Sequence, residues 1–373
     1  MNRSVRLVLA AVIALAGSDV PFGADATGTG AGAYAAGPGA VAAVATPTIA
    51  QLVGQKLVVR MAGTTPSADL LGRIRRGEVG GVILFGSNIT TAAALRQLTA
   101  TLQAAATAGG RPRLLIAVYQ EGGPVKRIPW APPTLSPRRM GSLGSTTIAR
   151  SQGAATGAAL SGLGIDVDLA PVADVPASTA SFMYLAGRTW SFNASRTSAL
   201  ANAFALGLWS RHVAPTLKHF PGIGYATRDT DGSIVSIRAS RTALAPGLLP
   251  YRAGIANHLP LIMLSNATYT AWDPVHAAGW SVPIQTLLRR TLGFTGVTIT
   301  DSLDGTAAVR GYPVSHLAIL AASAGTDMIL TTGSEARTRA VYIALVQAAT
   351  DGRIPLANLR ASYARILALK ARR

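Results

Sequence analysis

A chain of 373 residues, 49% of them hydrophobic, is long enough for one large domain or two ordinary ones and carries ample apolar material for a core. It contains no cysteine, which excludes disulfides, thiolate metal sites, a cysteine nucleophile and lipid attachment through an N-terminal cysteine. The formal charge of +18 comes almost entirely from scattered arginines. It suits solubility, or attraction to an anionic polymer such as a cell-wall glycan. The cluster Arg73, Arg75, Arg76 is short and has no interleaved aromatics, so no nucleic-acid partner is expected.

Arg3 and Arg6 precede an apolar stretch from Leu7 to Ala16, and Ala24-Asp25-Ala26 offers a small-x-small cleavage site. Residues 1–26 therefore read as a secretory signal peptide, the apolar run being too short to span a bilayer. Residues 27–45 are nearly all Gly, Ala and Thr and read as a flexible linker. The expected product is a secreted protein with no stable membrane span, folded from residue 46 to 373.

From Thr46 onward strands and helices alternate. Thr48 to Gln55 reads as a short helix, Lys56 to Met61 as a strand, and Ser67 to Gly77 as a helix with Leu70, Leu71 and Ile74 on one face. Gly81 to Phe85 is a short apolar run of the kind covered on both faces. Ala92 to Ala108 is rich in strong helix formers. The strands then continue at 114–118, 165–169, 213–217, 261–264, 296–300 and 327–330. Helices are expected at 145–163, 196–212, within 244–257, and at 283–291, 314–324, 334–351 and 356–371. Eight strand–helix units imply parallel strands with right-handed crossovers. Within ~330 residues they fit an α/β fold of the (β/α)8 TIM-barrel type, for which ~250 residues is typical. An open doubly wound sheet is the alternative, but no G-x-G-x-x-G follows the first strand.

In such a barrel the residues after the strands share one rim, and chemistry sits there. Reading them off yields Asn88, then Tyr119, Gln120, Glu121 and Arg127, then Asp174, Lys218, His219, Asp229, Asp231, Asn266 and Asp301. Lys218-His219-Phe220-Pro221-Gly222-Ile223-Gly224 is the densest stretch: an apolar strand delivers a cation and an imidazole into a stiff turn, and two carboxylates follow. Acids, amides and bases meeting at one mouth suit a polyol or sugar. Asp301, the first residue after an apolar strand, is placed either as a carboxylate nucleophile or as the N-cap of a helix from Leu303 onward.

Several stretches together resemble glycoside hydrolase family 3, in its single-domain β-N-acetylhexosaminidase branch. They are Gly81 to Phe85 with Asn88-Ile89; Gln120-Glu121-Gly122-Gly123 with Val125 and Arg127; and Ala170-Pro171-Val172-Ala173-Asp174-Val175. Lys218-His219-Phe220-Pro221-Gly222, Leu292 to Val297 with Asp301 and Leu303, and Ala324 to Met328 complete the set. The resemblance implies a TIM-type barrel and a two-step retaining mechanism with no metal or cofactor, acting on a carbohydrate as a monomer. It aligns Asp301 with the family nucleophile, and Arg127, Lys218 and His219 with residues that hold sugar hydroxyls. The branch's acid/base is a histidine paired with an aspartate in a loop reading D-x-H. Asp229 aligns with that aspartate, and Asp231 stands in the histidine position.

The departures gather at the site. The D-Q-E-G-G motif begins with Tyr119, the second histidine of the turn is Ile223, and a histidine expected after the 261–264 strand is Asn266. The G-x-R-S-F arginine is either replaced by Trp190 or displaced to Arg188. We therefore expect Asp301, Asp229 and Asp231 as catalytic groups and Arg127, Lys218, His219, Tyr119, Arg188 and Asn266 as sugar contacts. Asp231 would serve as the acid, with Asp229 raising the pKa of one of the pair. The alternative is a non-catalytic glycan-binding barrel derived from the family.

Overall fold

Eight short parallel strands form the centre of the molecule: β1 (Leu57–Arg60), β2 (Gly81–Leu84), β3 (Leu115–Val118), β4 (Val167–Asp168), β5 (Ala214–Phe220), β6 (Leu261–Leu264), β7 (Val297–Thr300) and β8 (Ile329–Thr331). The computed structural model describes residues 46–372, so the expected signal peptide and linker lie outside the described residues. Each strand pairs with its successor in sequence from β1 to β7, and β8 pairs with β1. A parallel bridge between Ile299 and Met328 joins the two ends of the sheet. That closure excludes the open doubly wound alternative.

The pleat explains why these strands are apolar throughout. In β3, Leu115 and Ala117 point into the barrel while Ile116 and Val118 pack against the helices. In β6, Leu261 and Met263 point in, and Ile262 and Leu264 point out. Strands buried on both faces have no polar alternation to show. The helices start where capping residues put them: Thr91 Oγ1 accepts from the Ala94 amide at 3.1 Å at the head of Ala92–Ala108.

The end of the barrel that precedes the strands is plugged by the last helix, Leu356–Lys370, whose Ile366 and Leu369 join the interior cluster. Two buried lysines tie it down. Lys370 Nζ donates to Gln55 Oε1 (2.6 Å) and to the Gly80 carbonyl (2.8 Å). Lys56 Nζ donates to the Thr326 carbonyl (2.7 Å) and Ser362 Oγ (2.8 Å). Burial lowers their ammonium groups to about 7 and about 8 respectively.

Asp327, wholly buried just before β8, is the electrostatic hub of this end. Its carboxylate accepts from Arg365 (2.7 and 3.0 Å), from Arg289 and from the Thr298 amide (2.8 Å). Burial alone would raise its pKa, but Arg289 and Arg365 outweigh that and hold the carboxyl below its ordinary value. Asp327→Ala strands two guanidiniums and is expected to cost roughly 3–5 kcal/mol of stability. A chemical-denaturation midpoint measures it.

Several elements differ from the sequence reading, the following among them. β5 runs on to Phe220, so Lys218 and His219 belong to the strand and do not follow it. The extension is held by the Ser265 amide donating to the Phe220 carbonyl (3.0 Å) across a shift in register. The 283–291 helix is an α-turn, Val282–Thr286, continued as a π-turn, Leu287–Thr291. There Arg289 reaches the carbonyls of Phe294 (3.0 Å) and Gly296 (2.6 Å). A helix at Leu303–Arg310 also precedes the expected one at Val314–Ala324.

Candidate active site at the strand-end rim

Because β5 is buried along its length, both side chains at its end must be paired, and each takes a carboxylate. His219 Nδ1 faces Asp174 Oδ2 at 2.7 Å. The other Asp174 oxygen accepts from the backbone amides of His219 (3.2 Å) and Ile223 (2.8 Å). One buried aspartate thus fixes both the imidazole and the turn after it. Buried Tyr269 steadies the same turn by donating to the Gly222 carbonyl (3.1 Å). The free imidazole edge, Nε2, lies 3.7 Å from Asp301 Oδ2. Asp301 thus faces the cavity beside the Lys218-His219 corner.

Asp301 does not cap the following helix. The N-cap is Ser302, which makes no side-chain cap hydrogen bond, and Asp301 Oδ1 accepts from the Ser302 amide at 2.9 Å. The other oxygen is left toward His219 and the cavity.

Lys218 takes Glu121. Its ammonium stands 2.6 Å from Glu121 Oε1, with both side chains fully buried, and lies 4.3 Å from the centroid of the Tyr119 ring. Arg188 grips the same carboxylate with two bonds, Nη2 to Oε1 (2.7 Å) and Nε to Oε2 (2.9 Å). Burial would raise the Glu121 carboxyl, yet the two cations prevail and hold it at about 2. Arg188 lines the cavity, whereas Trp190 is buried, donating its indole N–H to the Val172 carbonyl (2.8 Å).

The loop after the turn brings back two aspartates. Asp229 is exposed, and its Oδ1 accepts from the Asp231 amide (3.1 Å). Asp231 is half-buried, and its Oδ1 accepts from Asn266 Nδ2 (3.0 Å), which also donates to the Ser302 carbonyl (2.9 Å). Asn266 therefore joins the loop to the residue next to Asp301. The loop lies so close to the helix after β7 that a Cβ on Gly305 would stand 2.7 Å from the Asp231 carbonyl oxygen. Burial, with Asp301 and Asp229 nearby, pushes the Asp231 carboxyl up to about 8. Desolvation raises the Tyr119 phenol well above its ordinary value, with Asp301 and Asp231 adding to the effect, and it stays protonated. Beneath them Asp168, fully buried, is pushed up to about 7 by desolvation.

These groups enclose a cavity of about 250 Å³. Apolar Phe85, Phe182, Met183 and Ile223 share the lining with Tyr119, Arg127 and the carboxylates of Asp229, Asp231 and Asp301. Of the expected site residues, Asp301, Asp229, Asp231, Arg127, His219, Tyr119 and Arg188 line it. Lys218 and Asn266 do not. They are fully buried behind the lining and act on Glu121 and Asp231. Phe85, Phe182 and Met183 were not anticipated, since an apolar residue in a loop carries no sign of facing a ligand. Glu121 could have been singled out as the one acid flanked by the basic residues of its motif. A larger cavity of about 620 Å³ lies at the opposite end of the barrel, lined by Phe294, Arg365 and Arg372 among others and by no carboxylate. Among the described residues no cluster of His, Asp or Glu could hold a metal ion, and no helix is long and apolar enough to cross a membrane.

Known proteins resemble this chain in sequence and fold. An uncharacterized secreted glycosyl hydrolase of Arthroderma benhamiae is 33% identical over 87% of this chain and 94% of its own length. A β-hexosaminidase of Xylella fastidiosa is 33% identical over 68% of this chain and 76% of its own. A glycoside hydrolase family 3 β-N-acetylglucosaminidase from Paenibacillus sp. str. FPU-7 superposes with a TM-score of 0.84 at 31% identity, covering 88% of this chain. This chain spans 63% of that protein's length. The model of the glycosyl hydrolase family 3 N-terminal domain matches residues 48–369, and the chain belongs to that family of O-glycosyl hydrolases.

Proposed function

We propose that this chain is a retaining glycosidase of the β-N-acetylhexosaminidase type, with Asp301 as nucleophile and Asp231 as acid/base. The carrying observation is the line Asp174–His219–Asp301, which aims one carboxylate oxygen into a cavity that a protonated Asp231 also lines. Asp301 attacks the anomeric carbon while Asp231 hands its proton to the departing glycosidic oxygen. Water then cleaves the glycosyl ester, with Asp231 taking the proton back. His219, held by Asp174, and Arg188, held by Glu121, are fixed polar walls for sugar hydroxyls. The β-hexosaminidase relatives and the retained motifs support this substrate class. Secretion through the N-terminal segment, action on cell-wall-type glycan and a monomeric state complete the proposal. The secreted Arthroderma relative supports the first of these.

The test is product stereochemistry. Proton NMR of early turnover of an aryl N-acetyl-β-glucosaminide shows the β-anomer first; an initial α-anomer overturns the assignment of Asp301. A second reading, a glycan-binding barrel without turnover, is favoured by Ile223, an apolar side chain lining the cavity where the motif has a histidine. Retention on insoluble cell-wall glycan with no hydrolysis would select it.

The fit of the acid loop against the helix yields a separate expectation. Gly305→Ala pushes the Asp231 backbone away by a few tenths of an ångström or more. It lowers kcat by about 10- to 100-fold, the cost of a misplaced catalytic group, with little change in KM. Steady-state kinetics on one substrate checks it.

A further inference from the structure

The cavity lining carries both signs of charge: Asp229, Asp231 and Asp301, and against them Arg127 and Arg188. Arg127 lies over the Phe85 ring with its guanidinium carbon 5.9 Å from the centroid. Among the described residues Arg127 has no ion-pair partner, and its Nε is buried without a hydrogen bond. Arg188, the other arginine in the lining, is paired with Glu121, whose carboxylate Lys218 shares. Arg60, exposed at the end of β1, adds a second guanidinium 5.4 Å from the centroid of the same Phe85 ring. A buried Nε–H with no acceptor costs free energy until a ligand accepts from it. The planar guanidinium fork matches carboxylate, sulfate and phosphate oxygens.

We infer that the sugar bound next to Asp301 carries an anionic substituent on the side of the ring remote from the scissile bond, held by Arg127 with Arg60 at the rim. This rests on the glycosidase reading above and names its substrate class. The neutral phenol of Tyr119 lets the anion in where a carboxylate would repel it, since like charges close together in a confined cavity are strongly disfavoured. Two chemistries present such an anion: the carboxylate of a uronic acid, and a sulfate or phosphate ester on a hexosamine.

The experiment measures kcat/KM on three 4-methylumbelliferyl β-glycosides: N-acetylglucosaminide, N-acetylglucosaminide 6-sulfate and glucuronide. The expected result is a preference for at least one anionic sugar over the neutral one by about 10- to 100-fold, the worth of one charge-assisted hydrogen-bonded contact. Which of the two is preferred identifies the source of the anion. In Arg127→Gln the ratio of anionic to neutral collapses toward one, and Arg127→Lys keeps part of it. A wild-type preference for the neutral sugar, or a ratio that Arg127→Gln does not move, overturns the inference and leaves the glycosidase reading standing. If no substrate is turned over above the Asp301→Asn background, the glycosidase reading falls. Calorimetric binding of N-acetylglucosamine, its 6-sulfate and glucuronic acid then decides the inference by the same ratio and the same Arg127 variants.

Discussion

Asparagine in place of Asp301 lowers kcat/KM on an aryl N-acetyl-β-glucosaminide by about 10⁴-fold or more, the scale of losing a covalent nucleophile. The substitution is nearly isosteric. An amide oxygen still accepts from the Ser302 amide, the one hydrogen bond that ties the Asp301 side chain to its own loop. The neighbouring Asp174–His219 pair and the Glu121 cluster do not depend on it. The thermal midpoint is therefore expected to stay with the wild type while turnover disappears. A variant that turns over within about tenfold of the wild type would mean that another group attacks the sugar.

The second large effect is at Asp231, and it depends on the leaving group. General acid catalysis supplies roughly 10²–10⁴ of rate when the departing oxygen is a poor leaving group. Asp231→Asn should show that loss on a disaccharide or an alkyl glycoside. On a dinitrophenyl glycoside, whose phenolate needs no proton, the loss is far smaller. The pH profile carries the sign. The acid works only while it holds its proton, and its carboxyl is pushed up to about 8 by burial and by Asp301 and Asp229. Activity therefore persists through neutrality and falls as pH rises through about 8. In Asp231→Asn that alkaline limb is absent. If instead the limb survives, or dinitrophenyl and alkyl glycosides suffer equally, the proton comes from elsewhere.

These two expectations interlock through Asn266. That amide donates to the Asp231 carboxyl and to the carbonyl of Ser302, so Asp231 and the residue next to Asp301 share one support. Sequence reasoning assigned Asn266 to the sugar. Its complete burial assigns it to the loop.

Much of the fold was legible because its signals are local. Eight apolar runs covered on both faces, each followed by a helix-forming stretch, leave few arrangements for a chain that must pair every strand. Ala92–Ala108, Leu261–Leu264 and Val314–Ala324 fall at the expected residues, since their limits are set by caps, turns and glycines within a few positions. The extension of β5 through Lys218 and His219 was not legible. A lysine and a histidine continue a buried strand only because Glu121, 97 residues earlier, and Asp174, 45 residues earlier, come back to neutralise them. The π-turn at Leu287–Thr291 is similar, serving an arginine that must reach Asp327.

By itself the sequence determined the alternation of elements, the parallel sheet and the set of polar residues at the strand ends, because side-chain pattern and turn chemistry act over short separations. Only the tertiary structure decided which of those residues face the cavity and which hold others in place. It turned Asp301 inward and Asn266 and Lys218 behind the wall, put Arg188 and not Trp190 at the site, and left Arg127 without a carboxylate. Burial, and the pairing of charges from distant segments, settle such questions, and neither exists until the barrel closes.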